Sequence, residues 1–341
     1  MALTFTSKVV KKREQESVEQ TKKKVVIAIG GNAILKSEQS GTFEEQFRNI
    51  SITATRIVSI IFGIHNLEIV AVTHGNGPQV GNIAMQQDEA DHGIPKQPMH
   101  ILTAMTQGQI GYMLQQAIQN EIKRQGKKMP VISIITQTLV DKNDPEFRKS
   151  LPSKPIGPFI TEIVARQLMK KNSYKLKQIQ SNGKKIWRRV VPSPQPLKIV
   201  ETDILNNLVA AKCLIIASGG GGIPVIDSNG VLIGINGVID KDLVAGLLAK
   251  SLNASILIIL TDIENVKLNF GKPNEMSISD MNLTDAKKYL EEGQFLNGSM
   301  EPKIKSSIDF LESGGEIAVI TSIEKAIEAL QGTAGTRIFR C

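Results

Sequence analysis

The sequence predicts an α/β protein centred on an open, mainly parallel β-sheet with helices on both faces. Three observations carry this expectation. Short runs of Ile, Val, Leu and Ala recur without polar alternation, as strands buried on both faces do. Stretches with apolar residues at helical spacing separate them. Several of the runs stop at glycine or asparagine, in the tight turns that join a parallel strand to the next helix.

The first run is Val25-Val26-Ile27-Ala28-Ile29, stopped by Gly30-Gly31-Asn32. A strand followed at once by two glycines and a polar residue is the geometry of a phosphate-facing turn, although a plain tight turn explains Gly-Gly equally well. It is not a Walker A loop, because no Lys-Ser/Thr pair follows at the required spacing. Residues 43–62 have helical periodicity through Phe47, Ile50, Ile57, Ile60 and Ile61. A second strand at 68–73 ends in His74-Gly75-Asn76-Gly77, so strand, glycine, asparagine and helix recur in the same order. The spacing from Gly75 to Gly81 is one residue too long for the dinucleotide fingerprint, and no acidic residue ends a following strand, which excludes nicotinamide binding. His74 reads as a hydrogen-bonded turn residue before it reads as a general base. Residues 100–125 form a long helix in which Gly108 and Gly111 permit close packing, and 131–136 form a third strand.

Charge divides the chain. Residues 1–24 hold seven Lys/Arg against three Glu, and residues 141–199 hold fourteen Lys/Arg against four Asp/Glu. With a net charge of +8 overall, the remainder is acidic, so basicity belongs to one tail and one internal segment. A surface for nucleic acid would spread it more widely. The tail lacks the apolar core of a secretory signal, which leads to the expectation of an extension outside the fold and a cytoplasmic protein. Segment 141–199 reads as an insertion. Lys154-Pro155-Ile156-Gly157-Pro158 is rigid and extended, and Trp187–Val191 is a strand leading into Pro192-Ser193-Pro194. A flap over an anionic substrate fits this charge, and so does a solvated lysine-rich excursion. Two cysteines, Cys213 and Cys341, exclude a disulfide scaffold. The four histidines form no i,i+4 pair for zinc, and no run of 18 apolar residues predicts a membrane span.

The stretch from Leu214 to Asp242 concentrates the chemistry. A buried strand, 214–217, breaks into four glycines, Gly219–Gly222, whose backbone N–H groups can approach an anion without a Cβ in the way. Apolar runs 223–226 and 231–235, joined by Asp227-Ser228-Asn229-Gly230, read as a hairpin. Asp240-Lys241-Asp242 then enters a helix through Leu243, Leu247 and Leu248. A lysine between two carboxylates at a helix start, near a glycine loop, points to phosphate chemistry; read singly, each piece is a loop or a solvated charge cluster. A strand at 255–261 ends in Thr261-Asp262, a helix covers 280–291, Asn297–Lys303 caps a helix to about Leu311, and 316–321 is the last strand.

In order, these blocks resemble the carbamate kinases of the amino-acid kinase family. The matching blocks are AIGGNAI (28–34), THGNGPQVGN (73–82), KPIGPF (154–159), RRVVPSPQP (188–196), ASGGGGIPV (217–225), VIDKDL (238–243), LNFGKPNE (268–275) and NGSMEPK (297–303). The resemblance covers roughly residues 24–340. The extension 1–24 has no counterpart, and Phe159-Ile160 and SNGKKI (181–186) depart from the family pattern inside the flap. The resemblance implies a three-layer αβα sandwich, a homodimer, and a protruding subdomain (141–199) that closes over the site of a kinase domain spanning 25–341. It implies reversible phosphoryl transfer in which carbamoyl phosphate and ADP give ATP and carbamate, as in arginine and carbamoyl phosphate catabolism. Mg2+ rides on the nucleotide, with no metal site on the protein. Lys241 and Lys303 would flank the moving phosphoryl with Asp242 between them, and Lys154 would reach in from the flap. Gly30, Gly31 and Asn32 would offer N–H donors to the phosphoryl, and Gly75 and Asn76 to the carbamoyl end. Ser218, Gly219, Gly220, Gly221, Asp240, Thr261, Asp262 and Met300 would lie on the nucleotide side. Acetylglutamate-kinase-like members carry a lysine where this chain has Ala28, so Lys241 would supply that charge. Two alternatives stand beside this reading. A kinase of another small acid is disfavoured by Ala28 and the flap. A non-catalytic nucleotide sensor is disfavoured by the presence of Lys241, Asp242 and Lys303.

Overall fold

The computed structural model describes residues 22–36, 38–89, 93–171, 174–181 and 184–340; most of the N-terminal extension (1–21) and Cys341 lie outside them. Strand β1 (Lys23–Ile29) starts two residues before the apolar run, because Lys23 and Lys24 still pair with Leu67 and Glu68. Helix α1 (Phe43–Gly63) opens with a capping box: Thr42 Oγ1 accepts from Glu45 N–H, and the Glu45 carboxylate accepts from Thr42 N–H. Next come β2 (Leu67–His74), α2 (Gly77–Glu89) and α3 (Met99–Arg124). The third apolar run gives only β3 (Val131–Ser133). Beyond it the chain leaves the sheet: Gln107 Oε1 accepts Thr136 N–H at 3.1 Å, and β4 (Gln137–Val140) joins a different sheet.

Segment 154–191 comprises β5 (Lys154–Ile160), α4 (Glu162–Lys171), β6 (Leu176–Ser181) and β7 (Lys184–Val191). Its strands form their own antiparallel sheet in the order β5-β7-β6. The chain returns through β8 (Pro196–Ile199), which pairs with β4, then α5 (Thr202–Ala210) and β9 (Leu214–Ile216). Strands β10 (Ile223–Ser228) and β11 (Val231–Gly234) form a hairpin. Its two loop residues, Asn229 and Gly230, both have positive φ (55° and 84°), as the matching right-handed twist requires. The remainder is α6 (Lys241–Ser251), β12 (Ile256–Thr261), β13 (Val266–Leu268), β14 (Met276–Ile278) and β15 (Asp280–Asn282). Helices α7 (Leu283–Glu291) and α8 (Met300–Glu312), then β16 (Ile317–Ser322), α9 (Ala326–Leu330) and β17 (Thr336–Phe339), complete the chain.

The main sheet runs β15-β17-β16-β12-β1-β2-β9-β3, parallel from β16 to β3. Side chains alternate across it. Val25, Ile27 and Ile29 join a core with Ile50 and Ile57 of α1 and Ile110 and Met113 of α3. Val26 and Ala28 join another with Val244 and Leu248 of α6 and Ile304 and Ile308 of α8. Two helical layers enclose one sheet, the αβα sandwich expected. The strands' C-terminal ends and the N-termini of α2, α6 and α8 meet along one edge, where ligands bind in open α/β folds.

Candidate active site

The site is built at the first turn of α6. Asp240 caps the helix: its Oδ1 accepts Asp242 N–H at 2.9 Å. Its other oxygen accepts from Lys154 Nζ at 2.5 Å, so the capping carboxylate also receives the ammonium delivered by β5. Asp242 divides its carboxylate between two lysines, Lys241 Nζ on Oδ1 at 2.5 Å and Lys303 Nζ on Oδ2 at 2.9 Å. Helix α8 is pressed close enough to deliver Lys303. The Ser306 hydroxyl, one turn on, donates to Asp242 O, and a Cβ on Gly246 would lie 2.8 Å from Ser306 O.

Burial by itself would raise the Asp242 carboxyl, but Lys241 and Lys303 outweigh it and hold the group well below the usual carboxylate range. Burial lowers Lys241 despite Asp242, with the Lys303 charge adding to the effect. For Lys303 burial is overcome by Asp242, Asp240 and Asp262, and its ammonium is stabilised. The two lysines therefore differ: one is held firmly charged, the other sits closer to losing its proton.

A cleft of ≈ 540 Å³ opens over these groups, lined by Gly30, Gly31, Lys154, Thr261 and Asp262 along with Asp240, Lys241, Asp242 and Lys303. Asn32 lies in the turn Gly31–Ala33. Gly31 has nothing within 4 Å of a would-be Cβ, and its backbone is open to approach. Gly30 and Gly75 do not supply the expected donors. Gly30 N–H is taken by Leu260 O (2.9 Å) and Gly75 N–H by Ile29 O (3.2 Å), extending the sheet's ladder. What Gly75 provides is proximity: a Cβ there would sit 3.2 Å from Lys241 Cδ. The Asn76 side chain is buried and donates to Thr106 Oγ1 at 2.9 Å.

The polyglycine turn is not brought to the cleft. Ser218, with φ 57°, has its N–H on Thr136 Oγ1 and its carbonyl on the Thr73 hydroxyl, and Gly219, Gly220 and Gly221 are buried behind the site. A Cβ on Gly219 would lie 2.3 Å from His74 Nε2, on Gly220 2.2 Å from Asn76 Nδ2, and on Gly221 2.5 Å from Ile239 O. These glycines permit close packing against the end of β2, the turn after it and the chain entering α6. Met300, placed with the nucleotide group from sequence, is the first residue of α8 and packs partly buried against the core. His74 donates through Nδ1 to Gly75 O at 3.0 Å; burial lowers its pKa to about 4, with the Lys241 charge contributing, so the ring is neutral.

Lys36, Glu38, Asn49, Thr53 and Glu324 also line the cleft and carry no local signal in the sequence. Asn49 donates to Ile34 O (3.1 Å) and Thr53 to Ala33 O (3.1 Å), so α1 clamps the turn after β1. Only the packing of α1 reveals this. Among the described residues no group of three or more His, Cys, Asp and Glu is placed to hold a metal ion.

The amino acid kinase family model matches residues 23–322. A carbamate kinase from Thermococcus kodakarensis is 48% identical over 320 residues, 93% of this chain and 99% of its own length. One from Giardia intestinalis is 40% identical, over 93% of this chain and 98% of its own. The solved carbamate kinase from Giardia lamblia bound to AMP-PNP superposes with a TM-score of 0.83 at 40% identity, covering 94% of this chain and all (100%) of that one. The same enzyme bound to citric acid gives 0.87. An N-acetylglutamate synthase from Neisseria gonorrhoeae, 16% identical with a TM-score of 0.55, shares the fold alone. The chain belongs to the amino acid kinase family.

Proposed function

We propose that the protein is a carbamate kinase, transferring the phosphoryl group of carbamoyl phosphate to ADP. The observation that carries this is one buried carboxylate holding two ammonium groups at the floor of the cleft, with a third lysine on the neighbouring capping aspartate. Phosphoryl transfer needs positioning and charge stabilisation more than covalent help. A terminal oxygen of the ADP β-phosphate attacks phosphorus, the bond to the carbamoyl oxygen breaks, and carbamate leaves with the electron pair. Lys241 and Lys303 offset charge on the phosphoryl oxygens as it moves, Asp242 fixes both lysines, and Lys154 binds the carbamoyl phosphate end. The backbone at Gly31 and Asn32 faces the phosphoryl from the opposite side. Mg2+ carried on the nucleotide would offset phosphate charge there, and Asp262, on the cleft wall, is the carboxylate that would hold its waters.

The reading includes a homodimer. Ile101, Met105 and Tyr112 expose one apolar face of α3 beside Ile132 on the edge strand β3. It also includes residues 141–199 as the substrate-closing subdomain, a cytoplasmic location, and a place in arginine and carbamoyl phosphate catabolism. No helix among the described residues is long and apolar enough to cross a membrane. The test is ATP formation from ADP and carbamoyl phosphate with Mg2+, run against N-acetylglutamate plus ATP. ATP from the first pair and no turnover of the second supports the reading; phosphorylation of N-acetylglutamate overturns it.

A further inference from the structure

Two of the glycines in the family blocks are each other's partner. Gly81, on α2, meets Gly157, on β5, backbone to backbone: a Cβ on Gly81 would lie 2.0 Å from Gly157 N and 2.1 Å from its Cα. Gly157 itself has φ +71°, a conformation that other residues rarely adopt. Around this point β5 rests on α2. Ile156 is fully buried in a small core with Val80 and Ala84 of α2, Met99 and Leu102 of α3, and Val191 of β7. Ile156 pairs in register with Arg189, whose guanidinium stacks at 4.0 Å on Tyr174 and lies 3.6 Å from Asp88 at the far end of α2. Arg188 donates to Gly157 O at 2.7 Å and holds the bend.

Helix α2 therefore bears on both sides of the cleft. Its N-terminus continues the Gly75-Asn76 turn that lies over the Lys241 stem, and its middle carries the strand whose first residue is Lys154. The Gly81–Gly157 contact lies three residues along β5 from Lys154.

We propose that Gly81 is a positioning residue: by admitting β5 directly onto α2 it sets Lys154 over the first turn of α6, and α2 moves with the β5-β7-β6 sheet as one body. The proposal rests on the carbamate kinase reading, since Lys154 is taken to hold carbamoyl phosphate. A methyl group at Gly81 must move β5 outward by on the order of 1 Å to reach ordinary contact. A displacement of that size at a reacting group can cost about a hundredfold in rate.

The test is a double-mutant cycle on the full chain, read as kcat and KM for each substrate. Gly81→Ala alone should raise the carbamoyl phosphate KM or lower kcat by ten- to a hundredfold, with the ADP KM within about twofold of the parent. In a Lys154→Ala background the same substitution should add little, because the group it displaces is gone. Losses that multiply, or ADP and carbamoyl phosphate affected alike, overturn the proposal. Arg189→Gln, which releases the outer tether without adding a Cβ, gives a second cycle should Gly81→Ala fail to fold. A several-fold effect that vanishes with Lys154→Ala supports α2 and the sheet as one unit; an effect that persists unchanged refutes it. Parental turnover separates the two questions: a parent inactive with carbamoyl phosphate defeats the functional reading, and an active parent with a parent-like Gly81→Ala defeats only this one.

Discussion

Asp242 is the residue on which the site's electrostatics turn. Two ammonium groups on one carboxylate, about 5 Å apart at an effective dielectric near 20, repel by roughly 3 kcal/mol. Asp242→Asn keeps the shape and removes the compensation. We expect kcat to fall by about 10²–10³-fold with the ADP KM little changed. Lys241, already lowered by burial, should drop further, so the variant's residual activity should begin to decline at a lower pH than the parent's as pH rises. Turnover at the parental rate would make Asp242 a structural residue alone. His74 gives a second residue-scale prediction. Its pKa falls from 6.5 to about 4 on burial, so the unfolded chain takes up a proton that the folded one refuses. The associated stability is complete above pH 6.5 and lost as pH falls toward 4, by about 3 kcal/mol in all. His74→Gln should flatten that slope in urea unfolding between pH 7 and pH 5, and a variant as pH-sensitive as the parent would disprove the assignment. At this scale the sequence was a partial guide. Asp240-Lys241-Asp242 announced itself by adjacency, whereas the grip of Asp240 on Lys154 joins residues 86 positions apart, and no local pattern encodes it.

At the scale of elements, the closeness of α6 and α8 decides where the two lysines converge. Gly246 is the contact: a methyl there meets Ser306 Oγ at 2.6 Å and Ser306 O at 2.8 Å. Gly246→Ala should destabilise the protein by about 1–3 kcal/mol through overpacking, read as a lower urea midpoint. It should also lower kcat, because Lys303 rides on α8 one turn before that contact. A variant of unchanged stability and activity would show that the helices can part without cost. The same logic explains what was legible in the elements. The central strands were readable because burial on both faces leaves unbroken apolar runs. The hairpin was readable from Asn229-Gly230, which supply the positive φ its loop needs. Gly111 does sit tightly, 2.0 Å from Ser133 Oγ for a would-be Cβ, while Gly108 faces open space, although the two are indistinguishable by spacing. The polyglycine turn suggested anion approach for a sound reason, the absence of a Cβ, but close packing against His74, Asn76 and Ile239 makes the same demand. Composition cannot tell the two apart.

For the whole molecule, the homodimer of the functional reading would bury the exposed stripe of Ile101, Met105 and Tyr112 on α3 together with Ile132 on the edge strand β3 against the same surface of a second copy. Sedimentation should find the parent as a dimer at micromolar concentration, and Met105→Asp with Tyr112→Asp as a monomer. A monomeric parent would remove the homodimer from the functional reading. The division of the chain was only partly visible in advance, because charge marks residues 141–199 as different without saying how they dock. The antiparallel sheet is seated through Ile156, Val191 and Gly157, apolar or side-chain-free positions hidden among prolines and lysines.

The cleft wall has one more consequence. It carries four lysines (Lys36, Lys154, Lys241 and Lys303) and five carboxylates (Glu38, Asp240, Asp242, Asp262 and Glu324), so the opening that would receive two anionic substrates bears no net positive formal charge. Beyond a Debye length of about 8 Å at physiological ionic strength such a mixture has little field to offer. Substrate capture is then a matter of short-range fit rather than attraction from afar. Raising sodium chloride from 20 to 200 mM should leave kcat/KM for ADP within about twofold, whereas a bare basic pocket would lose far more to screening.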